Sequence, residues 1–186
     1  MEADRNKAWE LLLEHNREDM HIKHALAVEA AMRHFAILAG EDPDRWGLVG
    51  LLHDLDWEEA PEEHAKKSLD WLKDAGYDEA FCRAVSSHAW EYTGTRPESL
   101  MEKTLYAVDE LTGLLTAAAL VRPSRSLADL EVRSVMKKWK DKAFARGVNR
   151  EIIQRGAELL GKPLEWLIQE TLEALRPIEW ELGLGA

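Results

Sequence analysis

Several features that define common classes of protein are scarce in this sequence. Its 186 residues contain one cysteine, Cys82, which excludes an intrachain disulfide and a cysteine-based zinc site. A lone cysteine is typical of a reducing compartment, so we predict a cytoplasmic protein. The charged stretch from Met1 to Glu10 lacks the pattern of a signal peptide. The longest apolar run, from Leu111 to Val121, is interrupted by two threonines and a glycine and is too short to span a membrane.

Positive charge is also scarce. The net charge of −11 argues against a nucleic-acid-binding protein or a protein of acidic membrane surfaces, so we predict neither kind of partner. Between Arg122 and Arg146, however, eight basic residues stand against three acidic ones. The apolar content of 46% excludes general disorder. The length fits one domain with a substantial core.

Strand patterns are absent, and apolar residues recur at helical spacing along nearly the whole chain. We therefore predict an all-α fold, a single helical bundle. Residues 1–122 are predicted to form the main domain, and residues 123–186 to form C-terminal helices that pack on it. Predicted helix starts include Asp19 as a cap, Asp42 with Pro43, Pro61, and Asp78. A polar loop is predicted over 92–97 and a basic helix over 132–144.

A histidine and an aspartate, His53 and Asp54, stand side by side at the end of an apolar run. A buried imidazole beside a buried carboxylate is costly unless something pairs them, as a metal ion would. A structural hydrogen bond at a helix end is the alternative. Asp109 raises a similar question, because it lies beside the apolar stripe of a long predicted helix and needs a partner there.

The order of these residues, together with His24, resembles the HD-domain superfamily of metal-dependent phosphohydrolases, in particular the HDIG-type proteins. The resemblance covers roughly residues 20 to 120 and implies a helical domain in which separate helices hold a divalent metal. It implies four metal ligands: His24, His53, Asp54 and Asp109. His64 and His88 stand where two-metal members have two further histidines, so they are expected to hold a second metal or the phosphate. One departure is that Leu55-Asp56 replaces the commoner Ile-Gly.

The resemblance implies hydrolysis of a phosphoester or pyrophosphate bond by metal-activated water. The expected substrate is a small phosphorylated metabolite, a nucleotide above others, and the cofactor is one or two ions of Mn, Fe, Co, Ni, Zn or Mg. Asp54 and Glu58 are the catalytic candidates. Five basic residues are candidates for binding the substrate phosphate: Arg122, Arg125, Lys137, Lys138 and Lys142. A non-catalytic regulatory module that binds metal or nucleotide and a two-iron oxygenase stay as alternatives, and a homodimer is left open.

Overall fold

Helices account for all the regular secondary structure of the computed structural model, which describes residues 4–185. The prediction of an all-α fold is therefore confirmed. In chain order the helices are α1 (Arg5–His15), α2 (Asp19–Ala39), α3 (Pro43–Leu52), α4 (Lys67–Asp74), α5 (Glu79–His88), α6 (Trp90–Thr93), α7 (Leu100–Leu120), α8 (Val132–Lys140), α9 (Arg150–Leu160) and α10 (Leu164–Leu175). Short 3-10 turns occupy Pro61–Glu63 and Arg176–Ile178. Within residues 4–185, no helix has both the length and the apolar character needed to cross a bilayer.

Polar caps fix where several helices begin. The side chain of Asp42 accepts hydrogen bonds from two backbone N–H groups of α3, and Pro43 takes the first helical position. Asp78 caps α5 by accepting from the N–H of Phe81. At the start of α7, Ser99 and Glu102 form a capping box. The predicted starts of α3 and α5 are confirmed. His53 directly follows α3, and His88 is the last residue of α5.

Three predicted boundaries are wrong. The helix expected from Pro61 begins only at Lys67, because the buried Ala65 adopts a left-handed conformation with φ of 54° and breaks the helical path. The basic helix α8 ends at Lys140, because the backbone of Asp141 is extended. The predicted polar loop begins instead with the short helix α6, which ends at the left-handed Gly94.

The core lies where α2 crosses α3 and α7. Helices α9 and α10 close over α7 and α2, so the C-terminal helices share the core of the preceding ones. Fully buried residues come from all these elements, including Val28, Met32, Leu51, Leu52, Leu105, Leu111, Leu115, Ile153, Leu167 and Leu172. Burying large aliphatic side chains of this kind stabilises the fold by about 1.5–3 kcal/mol each. The central position of α2, α3 and α7 makes them a rigid support for the polar groups that they carry.

The crossing of α2 and α3 depends on a glycine. A Cβ atom at Gly50 would lie 2.7 Å from the carbonyl oxygen of Val28, which belongs to the α2 backbone and cannot move aside. We expect Gly50→Ala to lower the free energy of unfolding by about 1–3 kcal/mol, measured by chemical denaturation. Gly113→Ala is the matched control, since its nearest atom outside α7 is 3.8 Å away. The control should be neutral or stabilising, and equal losses in both variants would contradict the close-packing argument.

Candidate metal centre

Six polar residues that are far apart in the sequence meet at one place in the fold. His24 lies in the first third of α2, His53 and Asp54 directly follow α3, and His88 is the last residue of α5. Asp109 lies in the middle of α7, and His64 lies in the turn between the 3-10 turn at 61–63 and α4. We call this set the six-residue cluster: His24, His53, Asp54, His64, His88 and Asp109. All six are residues for which the sequence predicted ligand roles.

The first half of the six-residue cluster joins α2, α3 and α7. The Nε2 atoms of His24 and His53 are 3.2 Å apart. Asp109 Oδ1 lies 2.9 Å from His24 Nε2 and 3.3 Å from His53 Nε2. Asp54 Oδ2 approaches the same two nitrogens at 3.5 Å and 3.4 Å. Two imidazole nitrogens and two carboxylate oxygens therefore surround one small space that could hold a metal ion.

The second half uses the other oxygen of the same aspartate. Asp54 Oδ1 lies 3.2 Å from His88 Nε2 and 3.5 Å from His64 Nε2. These two histidine nitrogens are 3.1 Å apart. Asp54 thus spans both halves, with one carboxylate oxygen directed to each pair of imidazoles. A carboxylate in this position can serve two adjacent cations at once.

The remaining ring nitrogens are held by the surrounding structure. His53 Nδ1 donates to the carbonyl of Gly50 at 2.8 Å, and His88 Nδ1 donates to the carbonyl of Val85 at 2.5 Å. A carbonyl can only accept, so Nδ1 carries the proton and the Nε2 lone pair of each neutral ring faces the cluster. Histidines that bind metals are commonly held in this way by a hydrogen bond to the other ring nitrogen.

The donor set fits a divalent transition metal. Lone pairs that converge from four imidazoles and two carboxylates repel one another unless a proton or a cation lies between them. Mixed imidazole and carboxylate ligands suit Mn, Fe, Co, Ni or Zn, whereas Mg prefers oxygen ligands and water. The buried rings of His53 and His88 form the floor, and the most exposed members of the cluster are His24 and Asp54, with side chains 26% and 24% exposed. A ligand would therefore enter from the side of these two residues.

The histidines and aspartates of the cluster shift one another's pKa values. Burial disfavours a charge on His53, but the carboxylates of Asp54 and Asp109 outweigh it and hold the pKa of the imidazole well above its ordinary value. Burial also opposes ionisation of the two aspartates, but the neighbouring histidines lower the pKa of each carboxyl. A metal ion bound here would therefore compete with a proton on His53.

Glu58, one of the two catalytic candidates, binds the backbone at the start of α2. Its carboxylate accepts hydrogen bonds from the backbone N–H groups of Arg17 and Glu18, both of which precede α2, and lies 2.8 Å from His21 Nδ1. Glu18, the residue at the N-cap position of α2, makes no side-chain cap of its own, and neither does the predicted cap Asp19. Glu58 therefore stabilises the start of the helix that carries His24.

The five basic candidates lie outside the cluster. Among residues 4–185, none of their side chains forms a hydrogen bond or ion pair with a member of the six-residue cluster. Arg122 is paired with Asp129, and the Lys138 ammonium lies over the Phe144 ring. The candidates occupy the following positions: Arg122 and Arg125 in the loop after α7, Lys137 and Lys138 on α8, and Lys142 in the loop after α8.

The segment after α8 nevertheless reaches the helix that carries Asp109. The backbone N–H of Asn149 donates to Glu110 Oε2 at 3.1 Å, and a Cβ atom at Gly113 would contact the Val148 side chain. Burial and the neighbouring Asp109 raise the pKa of Glu110. Residues 148 and 149, which follow the basic stretch, thus contact α7, the helix that carries Asp109.

Sequence reasoning missed two residues that contact the cluster. The Trp57 ring packs edge-to-face against His64 with centroids 4.8 Å apart, and Trp57 is 43% exposed. Thr112 Oγ1 lies 3.5 Å from His24 Nδ1 and donates to the carbonyl of Asp109. The position of Thr112 one helical turn after Asp109 was a usable signal, because residues three apart share a helix face. For Trp57 the only signal was its position three residues after Asp54.

Comparison with known proteins identifies a family for the first half of the chain. The family model described as the HD domain matches residues 22–114, which is half of the chain and contains the complete six-residue cluster. No curated protein and no solved structure matches significantly. Because the match covers the same helices that bring the histidines and aspartates together, the chain belongs to the HD-domain superfamily of metal-dependent phosphohydrolases.

Proposed function

We propose that the protein is a hydrolase that uses one or two divalent metal ions to cleave a phosphoester or phosphoanhydride bond. The observation that carries the proposal is the position of Asp54, whose two oxygens approach two separate pairs of imidazole nitrogens at 3.2–3.5 Å. His24, His53, Asp54 and Asp109 would hold the first ion, and His64 and His88 with Asp54 would hold a second. Membership in the HD-domain superfamily supports the same reaction class.

The metal and the protein contribute different parts of the chemistry. A divalent ion held in the cluster supplies Lewis acidity, which acidifies a water ligand and offsets charge on a phosphoryl group. The chain itself orients the donors through the anchored Nδ1 atoms and keeps His53 out of contact with solvent. With a single ion, the rings of His64 and His88 would be placed to donate to a phosphate oxygen or to the leaving group when Nε2 carries a proton in addition to Nδ1.

The proposed substrate is a small phosphorylated metabolite, and a nucleotide is the preferred candidate. Support comes from Trp57, whose exposed ring beside His64 offers a flat surface on which a base can stack. The basic loop after α8, including Lys142, is proposed to contact the phosphate tail, because residues 148 and 149 at its end contact Gly113 and Glu110 of α7, the helix that carries Asp109. A local positive segment is needed since the net charge of −11 repels free nucleotides.

Elemental analysis of the purified protein, followed by a phosphate-release screen, tests the proposal. Metal-stripped protein is reloaded separately with Mn, Fe, Co, Ni, Zn and Mg, and each form is assayed with nucleotides and sugar phosphates. We expect bound metal and release that requires it. Metal and nucleotide binding without turnover under any metal would favour a regulatory module. Conversion that requires oxygen, shown by an anaerobic comparison, would favour a two-iron oxygenase.

A further inference from the structure

Asp56 makes three hydrogen bonds although it lies in no regular element. Its side chain is fully buried, two residues after Asp54. Oδ1 accepts from His64 Nδ1 at 3.0 Å and from the backbone N–H of Ala65 at 3.2 Å. Oδ2 accepts from the backbone N–H of Ser68 at 2.8 Å. One carboxylate therefore connects the end of α3 to the turn that carries His64 and to the first turn of α4.

This turn has an unfavourable backbone conformation. Ala65 is a non-glycine residue with φ of 54°, and it is completely buried. Such a conformation is costly for a residue with a Cβ atom and persists only where the surrounding structure holds it. The bond from the Ala65 N–H to Asp56 supplies part of that constraint. The result is that His64 leaves the helical path and turns toward His88.

The hydrogen bonds made by the Nδ1 atoms of the other histidines explain why His64 uses a side-chain acceptor. His53 and His88 each donate from Nδ1 to a carbonyl three residues earlier in the chain, Gly50 and Val85, in their own helices. For His64, the carbonyl three residues earlier belongs to Pro61 and accepts from the His64 backbone N–H, whereas the ring Nδ1 bonds to Asp56. The Asp56 carboxylate takes the place of that carbonyl, since it can only accept when ionised.

We propose that Asp56 is a positioning residue that builds the second half of the six-residue cluster. It holds the His64 ring in the tautomer with the proton on Nδ1, so that Nε2 faces His88 and Asp54. This inference rests on the proposed metal-dependent function for its consequence, a second metal or phosphate site. A glycine at this position, as in the commoner form of the motif, could not make any of the three side-chain contacts.

Asp56→Ala tests the assignment in the full-length protein, with the exposed Asp70→Ala as matched control. Alanine has no polar side-chain atom, so the substitution removes the acceptor of His64 Nδ1 together with that of the Ala65 and Ser68 N–H groups. Nitrogen NMR of the metal-free protein, above the pH range of histidine titration, reads the tautomer of each ring. We expect His64 to lose its Nδ1-protonated signature in Asp56→Ala, while His53 and His88 keep theirs and the control matches the wild type.

Calorimetric titration with Mn²⁺ or Zn²⁺ gives a second readout. Asp56→Ala should weaken the second metal site by about 10–100-fold while the first site changes little, as expected when a supporting hydrogen bond to one ligand is lost. A merely structural role would weaken both sites together. Equal weakening of both sites, or an unchanged His64 tautomer, would overturn the assignment.

A double variant keeps the test decisive if Asp56→Ala folds poorly. Adding Ala65→Gly removes the backbone strain, because glycine accepts positive φ freely, and leaves His64 without its carboxylate. The positioning role requires that this double variant still shows the altered His64 tautomer. Recovery of the wild-type tautomer would show that Asp56 acts only through the backbone and would overturn it. A wild-type protein that binds no metal would contradict the proposed function. The tautomer measurement uses metal-free protein, so it tests the role of Asp56 whether or not the proposed function is correct.

Discussion

Asp54→Asn is expected to abolish binding at both halves of the six-residue cluster and to reduce metal-dependent phosphate release by about 10³-fold or more. Its two carboxylate oxygens approach all four imidazoles of the cluster, so its replacement removes a ligand from both halves. A bound metal contributes several kcal/mol to transition-state stabilisation, and each ~1.4 kcal/mol is a factor of ten in rate. Metal content by elemental analysis and a phosphate-release assay check the two parts of this expectation.

Two comparisons make the Asp54 result specific. Asp74→Asn changes an exposed aspartate of α4 in the same way and should keep wild-type metal content and activity. His64→Gln should lower only second-site occupancy, because His64 approaches Asp54 through Oδ1 alone. Added metal should also raise the melting temperature of the wild type but not of Asp54→Asn, since a ligand stabilises only a fold that binds it. A variant that still binds two ions would refute the bridging role of Asp54.

The sequence was sufficient to predict the members of the cluster because two independent signals coincided. Helical periodicity placed His24, His53 and Asp109 on separate helices, each beside an apolar stripe that had to be buried. Buried polar groups of this kind need partners, and the order of the residues along the chain matched one family. The fold class followed from the same periodicity. What the structure adds is that these groups share one space, with Asp54 between the two halves.

The sequence was not sufficient where a side chain acts on a distant backbone segment. Glu58 was a plausible acid or base in a chain of unknown fold, but its carboxylate caps α2 from 40 residues away. The start of α4 was misplaced because the strained Ala65 is held by Asp56, and neither propensity nor spacing encodes that contact. The excess of basic residues from Arg122 onward is evident in the sequence, but charge alone does not predict where the side chains lie in the fold.

Metal affinity should rise with pH, because the metal competes with a proton on His53. Burial opposes that proton, but Asp54 and Asp109 outweigh burial and raise the pKa of His53 above its unfolded value. Below the raised pKa, each proton displaced by the metal makes affinity increase about tenfold per pH unit. Calorimetry at several pH values, in buffers with different ionisation enthalpies, measures both the slope and the number of protons released.

The stability of the metal-free protein should fall as the pH rises above neutral, whereas the metal affinity should rise. A raised pKa in the folded state means that His53 contributes stability that is complete below its unfolded pKa of about 6.5 and is lost as the pH rises through the folded pKa. The lowered pKa values of Asp54 and Asp109 contribute stability above about pH 4, which is lost as the pH falls through their folded values. Thermal unfolding with a chelator should therefore show a melting temperature that falls above neutral pH, and His53→Gln should flatten this fall. A metal-free melting temperature that instead rises through this range would mean that His53 is neutral in the cluster, and the metal would then have no proton to displace from it.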